Sequence, residues 1–105
     1  MRLLPRLKNI TDAEKDLFNS YLEEKLRRVT PILEDHYPDN DAVTIDVRIE
    51  KFNKHNAFSF SITIDMPHGK FLATEVKHNI KEVMDIVMDK IEQQLNKHFK
   101  KLARE

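Results

Sequence analysis

Between residues 58 and 65 the chain alternates without a fault. Phe58, Phe60, Ile62 and Ile64 are apolar; Ser59, Ser61, Thr63 and Asp65 between them are polar. Successive side chains of an extended strand point to opposite faces, so this segment is a strand with one buried and one wet face. Residues 43–50 repeat the pattern, with Val43, Ile45, Val47 and Ile49 set against Thr44, Asp46, Arg48 and Glu50. A third strand is expected over residues 71–76, after the turn at Pro67-His68-Gly69. Connections this short predict an antiparallel meander. Its apolar face needs a cover, and that requirement limits the fold more than any other feature of the chain.

The cover is written in a period near 3.6. Thr11-Asp12-Ala13-Glu14 reads as a capping box. Leu17, Phe18, Tyr21, Leu22, Leu26, Val29 and Leu33 then recur at helical spacing, predicting a helix over about 11–34. Pro31 argues against a regular last turn, and EDHYPDNDA (34–42) is an acidic, turn-rich connection. A second helix opens at Asn79, an N-cap with Glu82 three residues on, and runs without a breaker to about residue 103. At the N-terminus, residues 3–7 read as a short strand interrupted by Pro5, which confines it to a sheet edge; residues 1–10 stay poorly defined. The expected fold is α+β, a two-layer sandwich of order (β)-α-β-β-β-α. Its sheet is mainly antiparallel, two helices pack on one face, and residues 1–105 form one domain.

Several functions are excluded at this level. The chain has one glycine, Gly69, and no cysteine, so it offers neither a phosphate-cradling loop nor a thiolate metal site. His36, His55, His68, His78 and His98 show no metal-ligand spacing. The serines of FSFSITID lack the glycines of a nucleophile elbow. Neither enzymatic activity nor a cofactor is expected. MRLLPRLKNI breaks too early for a secretory signal, and no stretch has the length of a membrane span, so the expectation is a cytoplasmic protein without a membrane partner.

Eighteen basic and eighteen acidic side chains cancel, which disfavours gripping nucleic acid by bulk charge and moves attention to distribution. Around the second helix, at about 100° per residue, Ile80, Met84, Val87, Ile91, Leu95, His98 and Leu102 form the core stripe. Lys90, Lys97, Lys101 and Arg104 share a second arc only about 60° wide that contains no acid of the same helix. Such a ridge either complements the helix dipole or meets an anionic partner. Lys25, Arg27 and Arg28 of the first helix and Lys51, Lys54 and His55 of the first meander loop add to the basic set, while Asp35, Asp39 and Asp41 collect the acids. Phe58 and Phe60 share a face with Ile62 and Ile64, so they belong to the core and are not base-stacking platforms. Phosphate contact through helices and loops is the preferred mode.

YLEEKL in the first helix, KHNAFSFSITI entering a strand, and HNIKEVMDIVMDKIEQQLNKHFKK together resemble the ribosome hibernation-promoting factor and ribosome-associated inhibitor family, in its short single-domain form. The resemblance runs over about 21–101. It implies a β-α-β-β-β-α domain that binds 16S rRNA of the small ribosomal subunit in the channel used by mRNA and tRNA, and so inhibits translation under stress. The positions that match are Lys25, Lys90, Lys97, His98 and Lys101, with Lys54 and His55 in the loop; Arg28 and Arg104 extend the basic set. Phe58 stands where the family usually has an acid, and Asn96 and Phe99 where it often has bases. Two other readings stay open, neither involving DNA. One is a non-ribosomal module for structured RNA. The other is a dimerising protein–protein domain whose residues 43–50 form an open sheet edge. A monomer or weak homodimer is expected.

Overall fold

A computed structural model of the protein describes residues 1–38 and 40–102. The elements run β1 (Arg2–Lys8), α1 (Asp12–His36), a 3-10 turn (Asn40–Ala42), β2 (Thr44–Phe52), β3 (Ala57–Met66), β4 (Gly69–Lys77) and α2 (Ile80–Leu102). The sheet has the order β1-β2-β3-β4, with β1 parallel to β2 and the remaining pairs antiparallel. Both helices cover one face, so the expected α+β sandwich is the observed one.

The alternating residues do what their period requires. Ile45, Val47, Ile49, Phe58, Phe60, Ile62 and Ile64 are buried under the helices, as is Val43 just before β2. They meet Phe18, Leu22, Val29 and Leu33 of α1 and Ile80, Val83, Met84, Val87, Met88, Ile91, Leu95 and Phe99 of α2. The buried stripe of α2 is wider than the heptad-like reading: Val83, Met88 and Phe99 join it, whereas Leu102 is exposed.

Two expectations need correction. Residues 2–8 are not an interrupted segment but a regular strand, in register with β2 from Arg2↔Thr44 to Lys8↔Glu50. Arg2 N–H donates to the Val43 carbonyl. Backbone groups alternate sides along a strand, so Pro5 falls among the residues that face away from β2. Its missing N–H therefore removes no ladder bond. The edge of β2 is consequently covered, not open. Pro31 likewise fails to end α1, which continues to His36 and closes with Tyr37 N–H on the Leu33 carbonyl at 2.8 Å. Burial of Val29 and Leu33 on the inner face outweighs the one bond lost at the exposed proline.

The start of α1 is as read: the Thr11 hydroxyl accepts from Glu14 N–H at 3.2 Å, and Thr11 N–H donates to Glu14 Oε1 at 3.0 Å. Lys51 of β2 adds an ion pair to Glu14 Oε2 at 3.2 Å. The Thr11 amide, with help from the Thr11 hydroxyl and Lys51, holds the Glu14 carboxyl below its ordinary 4.5. A depressed folded value means the stabilisation is complete above that ordinary value and lost as pH falls through the folded one. Glu14→Gln keeps the box and removes the charge. Wild type is expected to exceed this variant by under about 1 kcal/mol at neutral pH. Urea denaturation at stepped pH should show the difference fading below pH 4.5.

Candidate nucleic-acid interface

The two helices run parallel, so both N-termini lie at one end of the sheet and both C-termini at the other. Ion pairs between them advance together along both chains: Lys25 to Asp85 at 2.7 Å, then Arg28 to Asp89 at 3.5 Å and to Glu92 at 2.7 Å. The predicted basic residues are distributed over this frame in three groups.

The first group sits at the N-terminal ends of the helices. In the turn between β2 and β3, His55 N–H donates to the Phe52 carbonyl at 3.2 Å, and Asn56 takes a left-handed φ of 45°, which asparagine tolerates. His78 Nδ1 bonds the Asn56 carbonyl at 3.1 Å and ties the turn to the start of α2. Lys54 and His55 are exposed there. Lys77, opposite Phe58 in the sheet, and Lys81, in the first turn of α2, enlarge this basic end. Sequence reasoning passed over both; the only available signal was their closeness in sequence to the α2 N-cap.

The second group sits at the far end of α2, about 30 Å along the helix from Lys81 at 1.5 Å per residue. Lys97 and Lys101 are exposed, and among the described residues no acid lies within ion-pair range of either. Lys100, about 60° off their arc, broadens the patch and was also missed. His98 behaves differently. Its ring packs edge-on against Phe71 and Phe99, at 5.0 and 5.2 Å, and Nε2 is buried without a hydrogen-bond partner. The half-buried setting is the one its place on the core stripe predicts, but the hydrogen bond expected to accompany it is absent. Gly69 leaves room for these rings: a Cβ there would lie 3.2 Å from Phe71 and 3.6 Å from His98. Arg104 lies outside the described residues.

The third group is occupied internally. Lys25 and Arg28 hold α2, as above, and Lys90 pairs with Glu75 of β4 at 2.9 Å. The ridge therefore does meet an acid, contributed by a neighbouring strand. The Lys90 ammonium draws the Glu75 carboxyl below its usual range, aided by the Val76 N–H. One turn on, the Gln94 amide donates to the Leu72 carbonyl at 3.3 Å, fastening the same helix face to β4. Nor do the acids occupy an opposite pole. His36 stacks on Phe99 with ring centres 3.7 Å apart, which sets the turn carrying Asp35 against the lysine-bearing end of α2. Asp41 lies in the 3-10 turn, and Asp39 is outside the described residues.

The family model for sigma 54 modulation protein / S30EA ribosomal protein matches residues 8–103. The chain belongs to this family. It is the one whose motifs the sequence resembled, and the S30EA fold accounts for the element order described above. Among solved structures, the chain is similar to the N-terminal domain of Thermus thermophilus Protein Y, at 25% identity and a TM-score of 0.65, over 93% of this chain and 99% of that one. A ribosomal subunit interface protein from Coxiella burnetii shares the fold at 22% identity and a TM-score of 0.64, over 93% and 97%. No curated protein matches the chain. No helix among the described residues is long and apolar enough to cross a membrane.

Proposed function

We propose that this S30EA-family chain is a cytoplasmic, non-enzymatic ribosome-binding protein that silences translation. In this reading it occupies the mRNA/tRNA channel of the small subunit and contacts 16S rRNA through basic side chains. The observation that carries the reading is the exposed pair Lys97 and Lys101 at the end of α2, with no acid in ion-pair range among the described residues, in a family described as ribosomal. Lys54 and His55 supply a second contact at the opposite end of the molecule. Lys25, Arg28 and Lys90 act mainly in setting the helices, although Arg28 and Lys90 remain about half exposed, at 48% and 46%, and can exchange an acid for a phosphate. His98 orients the end of α2 through its aromatic contacts. The covered β2 edge speaks against the dimerising alternative.

The test is co-sedimentation with small subunits and whole ribosomes at two salt concentrations, with Lys97→Glu/Lys101→Glu beside the wild type. Removing two phosphate contacts should lower the log–log salt slope by roughly 1.8 and weaken binding more than about tenfold. Wild-type binding lost in the folded variant supports the reading. Absence of wild-type binding at either salt, or binding that the variant retains in full, overturns it.

A further inference from the structure

The face of the sheet turned away from the helices carries a second basic site. In register across it lie Arg6 of β1, Arg48 of β2 and Ser61 of β3, with Thr74 of β4 beyond. Two arginines directly opposite one another repel, an arrangement that costs stability without a ligand between them. Arg6 leans toward Asp46 Oδ2 at 3.7 Å, too long for a hydrogen bond. Arg48 is exposed and has no acid within ion-pair range among the described residues. Beside it opens a depression of about 610 Å³ lined by Asp46, Arg48, Ser61, Thr63, Lys70 and Leu72. Lys70, opposite Asp65 in the register, is exposed and likewise has no ion pair among the described residues, so it stands beside Arg48 as a second free cation. The Ser61 and Thr74 hydroxyls bond each other at 2.8 Å, holding the floor in place. Asp46 Oδ1 is shielded from water and accepts no hydrogen bond.

We propose that this depression binds a ribose-phosphate unit of an RNA strand. The phosphate lies on Arg48, with Lys70 and the Thr63 hydroxyl beside it. The ribose 2′-hydroxyl donates to Asp46, whose carboxylate turns about its last torsion to receive it. This ligand supplies what the site lacks on both counts: an anion for an unpaired guanidinium and a donor for an unpaired acceptor. DNA offers the first without the second, because it lacks the hydroxyl. An acidic peptide is less suited, because Leu72 is the one apolar residue lining the depression. The site faces away from the helix layer and extends the ribosome reading by a separate RNA contact. It does not depend on Lys97 or Lys101.

The test is NMR titration of the full, isotope-labelled chain with a uridine tetranucleotide. Its deoxyuridine counterpart, inorganic phosphate and an aspartate-rich peptide serve as comparisons. Saturable shifts of the Arg48 side chain and of the Ser61 and Thr63 amides are expected with RNA, persisting in Lys97→Glu/Lys101→Glu. Arg48→Gln should weaken this response about tenfold and reduce its log–log salt slope by about 0.7. Asp46→Ala should erase the preference for RNA over DNA. Shifts confined to α2 and the β2–β3 turn would overturn the site. Equal response to inorganic phosphate or DNA, or a stronger one to the peptide, would overturn the RNA assignment. Neither result bears on ribosome co-sedimentation through Lys97 and Lys101, so the two proposals fail separately.

Discussion

Phe60→Ala is expected to remove about 3–5 kcal/mol of folding stability. The ring sits mid-strand in β3, fully buried, edge-to-face with Phe18 of α1 at 5.9 Å between centres. It is thus where the sheet meets the helix layer, and its loss combines unburied apolar area with a cavity that neither β3 nor α1 can close without breaking its own bonds. Domains of this size are held by roughly 5–15 kcal/mol, so the variant keeps only part of its margin. Urea denaturation should show a lower midpoint at an unchanged slope, and the thermal midpoint should fall by more than about 12 °C. A change below 1 kcal/mol would mean that Phe18 and its neighbours collapse onto the gap, and that the two layers are packed less tightly than the burial of both rings indicates.

Deleting residues 2–8 is the second large effect. It strips β2 of its parallel partner and leaves a row of unpaired backbone groups beside buried Ile45, Val47 and Ile49. Unprotected edges recruit other chains. In the full protein the outer edge of β1 is itself protected, by Pro5 within it and by Arg2, Arg6 and Lys8, which would repel a second copy. Analytical ultracentrifugation across a concentration series should therefore show the truncated chain associating where the full chain does not. Equal sedimentation of both would show that β2 needs no cover, and that β1 contributes only local packing.

Legibility from sequence followed the physics of each segment. β2 and β3 are half-buried, so burial itself imposed the alternation that revealed them. β1 is exposed along almost its whole length, and no selection for a buried face acts on RLLPRLK. Its strand state is set by pairing with β2, which no local pattern records. Pro31 misled for a related reason: local geometry argues against it, whereas the burial of Leu33 that keeps the helix going is a tertiary fact. In the candidate site, the wheel placed Lys90, Lys97 and Lys101 on one arc, but it sees a single helix. That Glu75 answers Lys90, that Asp85 answers Lys25, and that Asp89 and Glu92 answer Arg28, depends on what lies alongside. Lys97 and Lys101 have no ion-pair partner among the described residues, although the turn carrying Asp35 lies against this end of α2.

The parallel pairing at the sheet edge also orders events on the ribosome that makes this chain. Arg2 pairs with Thr44, and α1 lies between them. At roughly 5–20 residues per second, β1 leaves the exit tunnel roughly 2–8 s before its partner strand. Throughout that interval RLLPRLK travels as a basic, leucine-bearing tether. The hairpins β2–β3 and β3–β4 meet no such delay, since each closes across a short turn. Synthesis thus delivers the first strand early and gives it the longest wait for its partner strand.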